Sequence, residues 1–137
     1  MRSFAVSVAV GTSALAVVLT ATTATRVQAQ ANPAASPEYY THTVKPILLA
    51  NCYRCHAGMN HRGALVLDSK KGILHGGKDG AVLIPGDPAN SMLIKLIRHE
   101  GPADDPMPMP PKGKLSDADI AAVTAWVKAG APMPDDQ

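Results

Sequence analysis

Five consecutive residues, Cys52-Tyr53-Arg54-Cys55-His56, are the part of this chain best suited to chemistry. Two thiols three residues apart fall about one helical turn from each other, and an imidazole follows at once. That spacing suits addition of both sulfurs to the two vinyl groups on one edge of a haem. His56 is then held under the iron as a nitrogen ligand. Plainer uses of the same residues fit less well. A thioredoxin-like redox pair needs a βαβ setting, of which the sequence shows no sign. A zinc site needs two further strong ligands at motif spacing, and only isolated histidines are on offer. A Cys52–Cys55 disulfide closes a tiny loop and leaves His56 without a task.

A six-coordinate iron needs a second ligand opposite His56, and a thioether there raises the reduction potential. Met59 is too close to His56 in sequence to reach the far haem face, Met92 reads as helix filler and Met133 as exposed. Met107 and Met109 differ, because they stand in a loop stiffened by Pro102, Pro106, Pro108, Pro110 and Pro111. His42, His61, His75 and His99 are the alternatives for bis-His ligation.

These groups must be positioned by short helices. Ser36-Pro37-Glu38 is a helix start, with a hydroxyl at the N-cap, proline at the first position and an acid in the first turn. Tyr40, Val44, Ile47 and Leu48 mark one face of a helix over 37–51, with a kink or restart predicted at Pro46. Residues 57–88 are glycine-rich loop, with one helical turn capped near Ser69 and a short extended piece over 81–84. A second helix is predicted over 88–98, capped by Asp87 or Asn90, with Leu93, Leu96 and Ile97 on one face. A third spans 117–129, where Ser116 and Asp119 resemble a capping box and Gly130 is the stop. Its apolar face is Ile120, Val123, Trp126 and Val127, and Trp126 reads as a core aromatic.

The N-terminal segment reads as a secretory signal peptide. Arg2 is its positive end, residues 4–19 are uncharged, and Val27-Gln28-Ala29 is a small-x-small cleavage site. The apolar run is short for a membrane span, which needs about 20 residues, so a tether through an uncleaved N-terminus is the lesser reading. The predicted division is signal peptide 1–29, tether 30–36, domain 37–134 and a solvated tail 135–137. Arg2 and Arg26 leave with the signal segment, so Lys+Arg falls from 13 to 11, equal to Asp+Glu. Nucleic-acid binding is not expected from a neutral mature chain without basic runs.

Composition agrees with a cofactor. Apolar residues make up 46% but aromatics only 4%, with 11 glycines and 12 prolines. A small domain this poor in large side chains usually recruits a disulfide, a metal or a prosthetic group.

Over about residues 37–134 the chain resembles the planctomycete-type, cytochrome c-like monohaem domains. The resemblance is carried by Val44-Lys45-Pro46-Ile47-Leu48 before the Cys52–His56 motif and by Gly63-Ala64-Leu65-Val66-Leu67-Asp68-Ser69. It continues through Ile84-Pro85-Gly86-Asp87-Pro88, Ser91-Met92-Leu93-Ile94, Met109-Pro110-Pro111-Lys112-Gly113-Lys114-Leu115-Ser116-Asp117 and Trp126-Val127-Lys128-Ala129-Gly130-Ala131-Pro132. The chain departs from the family in offering two methionines, Met107 and Met109, where one is usual. The resemblance implies an all-α, small cytochrome c-like fold whose helices pack around one covalent haem c, with long Gly/Pro-rich loops. It implies Cys52 and Cys55 as attachment sites and His56 and Met109 as iron ligands.

The expected function is electron transfer between redox partner proteins in the periplasm or outside the cell. Catalysis is not expected, since the chain is short and has no evident acid–base set around a cavity. The rival readings are a small haem peroxidase or reductase, and a haem sensor or redox subunit docked to a larger dehydrogenase. Arg54 is a candidate partner for a haem propionate, and Lys112 with Lys114 a candidate rim for an acidic partner.

Overall fold

The computed structural model of the protein describes residues 31–104 and 107–136. The signal-peptide reading of 1–29 lies outside the described residues. The described part is mostly helical with little strand, as expected of an all-α fold.

The first helical run extends from Pro37 to Asn51 in three pieces. Pro37–Tyr39 starts on Ser36, whose Oγ accepts the Tyr39 N–H at 3.3 Å. Tyr40–Val44 widens into a π turn, and Lys45–Asn51 then resumes the α-helix. Pro46 is the reason: it has no N–H for the His42 carbonyl, and its ring would crowd that carbonyl in a tight helix. The predicted restart is therefore present as a wider turn just before the proline.

The last helix, Asp117–Lys128, ends the fold at well-defined caps. Ser116 Oγ accepts the Asp119 N–H at 3.1 Å and donates to the Asp119 carboxylate at 2.8 Å. Aspartate, one carbon shorter than glutamate, thus meets the capping hydroxyl. At the other end Gly130 takes φ 96°, and Ala131 N–H bonds to Trp126 O at 2.9 Å. This closure turns the chain back over its own helix.

The core lies between these two runs and the helix Met92–Ile97. Tyr40, Val44 and Leu48 are buried from the first run, as are Ile120, Val123, Trp126 and Val127 from the last. Trp126 is fully buried, and its Nε1–H donates to Pro132 O at 2.9 Å.

Several expectations are corrected. The tether region forms a 3-10 turn, Pro33–Ala35, with Ala34 buried beside the last helix. The second helix begins at Met92 because Asp87 spends its carboxylate on Asn90 N–H, at 3.1 Å, making a separate turn. Buried Ser91 caps nothing: its Oγ accepts Ile84 N–H at 2.9 Å and donates to Asp87 O at 2.8 Å. Residues 81–84 form no strand. Met133 is buried, because the Gly130 turn folds it inward. The tail is also tied down: Asp136 accepts from Lys70 N–H and Lys71 N–H, and Asp135 pairs with Lys70 Nζ at 2.7 Å.

Candidate haem-attachment site

The motif forms its own short helix, Tyr53–His56, with Cys52 at its head. Cys52 N–H still bonds to Leu48 O at 2.8 Å, so the first run delivers the motif directly. Cys55 N–H and His56 N–H both bond to Cys52 O at 3.0 Å. The two thiols and the imidazole therefore occupy one turn. Both cysteines are free and half-buried. Burial, with Cys55 as the lesser cause, pushes the Cys52 thiol up to about 11. A thiol shifted that way is not the low-pKa nucleophile of a disulfide oxidoreductase.

The His56 ring is half-buried, and its Nδ1 atom is buried without a hydrogen-bond partner. Burial lowers its pKa, while the backbone of Arg62 and Leu65 works in the opposite direction. The residues of the turn Arg62–Ala64 lie beside the motif helix. The loop that brings them is folded back on the motif: His56 pairs with His61 and Ala57 with Asn60 in antiparallel bridges.

Beside the motif runs a groove of about 410 Å³, lined by Ala50, Asn51, Arg54, Cys55, Arg62, Pro110, Pro111 and Lys112. It joins the motif to the Pro110-Pro111 end of the proline loop. Met109 is half-buried just before it, and its N–H bonds to Leu96 O at 3.1 Å. The structure thus brings Cys55 and the Met-Pro-Pro segment to one place, though neither Met109 nor His56 lines the groove itself. Met107 is 38% exposed with φ 31°, Met59 is 99% exposed, and Met92 is half-buried. His42, His61, His75 and His99 are all exposed. Arg62, unremarked in the sequence, joins Arg54 and Lys112 as a third cation on the groove. It sits in a turn whose return to the motif has no alternating pattern to announce it.

The donors fit a covalent haem. Two free thiols can form thioethers, an adjacent imidazole can ligate iron, and its buried Nδ1 is left without a partner in the structure. A mostly helical fold with this motif beside a groove is an arrangement that suits a c-type haem. A family model described as Planctomycete cytochrome C matches residues 52–113, the stretch from the motif through the Met-Pro-Pro segment, and supports a domain of that type there. No curated protein and no solved structure matches the chain. A cytochrome c domain of that description implies haem c as cofactor and suggests haem-based electron transfer. Cytochrome c domains are generally electron carriers and typically exported. Among the described residues, no helix is long and apolar enough to cross a membrane.

Proposed function

We propose that this protein is an exported, periplasmic one-electron carrier with a single haem c, attached through Cys52 and Cys55 and ligated by His56 and Met109. The observation that carries the reading is the single turn holding both free thiols and the imidazole, whose Cys55 shares one groove with Pro110 and Pro111. When bound, haem supplies a reversible ferric–ferrous couple.

The chain's own residues do the rest. Cys52 and Cys55 would hold the vinyl edge of the haem on the motif turn. Met109 is held by its backbone bond to Leu96 and by the prolines around it, so it can keep its position in both oxidation states with little rearrangement. A Met109 thioether could serve as an iron ligand there, which would favour electron transfer over substrate binding.

Arg54, Arg62 and Lys112 line the groove beside Cys55 and are exposed, without an acidic side chain among the lining residues. A porphyrin carries its carboxylates on the edge opposite its vinyl groups. Cations at the Cys55 edge are therefore better placed for an acidic redox partner than for a propionate.

Mass spectrometry and visible spectroscopy of the exported protein test the reading. The expected result is a chain beginning near Gln30 plus one haem that resists acid-acetone extraction, with a sulfur-to-iron band in the near infrared. An unmodified Cys52–Cys55 pair in the mature protein overturns it.

A further inference from the structure

The loop after the haem motif is fastened by an acid that the proposed function leaves unused. Residues 57–67 leave the motif and return to it, and two bonds close the neck. Leu67 N–H donates to His56 O at 2.7 Å, and Gly58 N–H donates to Asp68 Oδ2 at 2.8 Å. Gly58 turns the chain there with φ 60°. The far side of the loop is held by Lys78 N–H on Gly63 O at 2.7 Å. Between these anchors stand Arg62 and Leu65; His61, just before Arg62, bridges through its backbone to His56, and the Arg62–Ala64 turn packs against the motif helix.

One neck bond is purely backbone. The other depends on the Asp68 side chain. Ser69, the next residue, caps the helix Lys70–His75 by accepting Gly72 N–H at 3.0 Å. The C-terminal Asp136 holds the same helix end through Lys70 N–H and Lys71 N–H. The carboxylate that grips Gly58 is therefore mounted on a braced segment.

We infer that Asp68 is a positioning residue for His56: by holding Gly58 it keeps the Arg62–Leu65 backbone close to the imidazole, where its carbonyls can accept from the second ring nitrogen, and so sets the ring's orientation and donor strength toward iron. This rests on the reading of His56 as the iron's ligand. A histidine whose second nitrogen faces a carbonyl is a stronger donor, and it stabilises ferric iron. Loosening the neck weakens that contact, and the midpoint potential rises.

Three variants of the haem-loaded protein separate geometry from charge. Asp68→Ala removes the acceptor and the charge. Asp68→Glu keeps the charge but moves the acceptor by one methylene. Asp68→Asn keeps an acceptor oxygen in place and removes the charge. Positioning predicts a raised potential and altered paramagnetic shifts of the haem methyls in the Ala and Glu variants, with the Asn variant near the parent on both. Equal shifts in Ala and Asn with a silent Glu variant make the effect one of charge and overturn the inference. A lowered melting temperature in Asp68→Ala with unchanged potential and methyl shifts overturns it as well. Should Asp68→Ala fail to mature, the Asn and Glu pair still decides: two parent-like potentials sink the inference. A parent protein without covalent haem fails the carrier reading instead, so the two failures are distinct.

Discussion

The ring of Trp126 lies 5.4 Å from the ring of Tyr40, tilted by 33°, and the pair joins the last helix to the π turn of the first. Both rings are buried, and this contact supports the helix that delivers Cys52. Replacing Trp126 with Ala should cost about 3–5 kcal/mol, the usual range for a buried large aromatic. Trp126→Phe should cost less but still leave Pro132 O without its indole donor. Denaturant unfolding of the haem-loaded protein followed by circular dichroism checks both; a Trp126→Ala midpoint equal to the parent's contradicts the packing described.

Met109→Ala should abolish the sulfur-to-iron band, lower the potential and open the iron to carbon monoxide. Met107→Ala should leave all three unchanged, since that side chain is partly exposed on a strained left-handed backbone. If the Met107 variant gives the large effect, the ligand is the other methionine. If neither does, a histidine holds the position.

The cations at the groove should act on charged reaction partners. Arg62→Glu combined with Lys112→Glu should slow oxidation of the reduced protein by ferricyanide, by about tenfold or more at low ionic strength. Oxidation by cationic tris(phenanthroline)cobalt(III) should speed up. Stopped-flow traces should converge with the parent's as salt rises and screening shortens below about 10 Å. Identical rates with both oxidants would place electron exit elsewhere.

Lys70, through its hydrogen bond and its charge, holds the Asp135 carboxyl below the usual carboxylate range. A folded pKa below the unfolded one stabilises the protein above the unfolded value, and the effect fades as pH falls through the folded one. Asp135 is fully exposed, so the effect is small. Asp135→Asn should lower the melting temperature slightly at neutral pH, and the gap to the parent should close in acid. A gap that widens in acid reverses the sign argued here.

Much of the frame was legible because the signals are local. Ser36, Ser69 and Ser116 each announce a helix through a side chain that accepts an N–H of the first turn, and all three do so. Gly130 likewise announces its stop. What escaped the sequence depends on chain return. Met133 looked exposed because it lies near the end, yet the Gly130 turn carries it into the core. Asp136 looked solvated, yet it reaches a helix end some 65 residues away. The loop that faces His56 also escaped, because a two-residue bridge has no periodicity to read. The motif was legible as a string, but the acid fastening its loop was not.

The π turn before Pro46 also works as a phase correction. At about 3.6 residues per turn, a step of four residues overshoots a full rotation by about 40°. Three such steps, from Tyr40 through Val44 and Leu48 to Cys52, would drift by about 120°, a third of the way around the helix. The wider turn, closed by Lys45 N–H on Tyr40 O, winds more slowly and takes back part of that drift. Tyr40, Val44 and Leu48 can then all stay in the core, and Cys52 follows with its backbone still bonded to Leu48. Pro46 in effect times the rotation at which the first thiol emerges. One residue more or fewer between Pro37 and Pro46 would deliver that thiol to a different side of the protein.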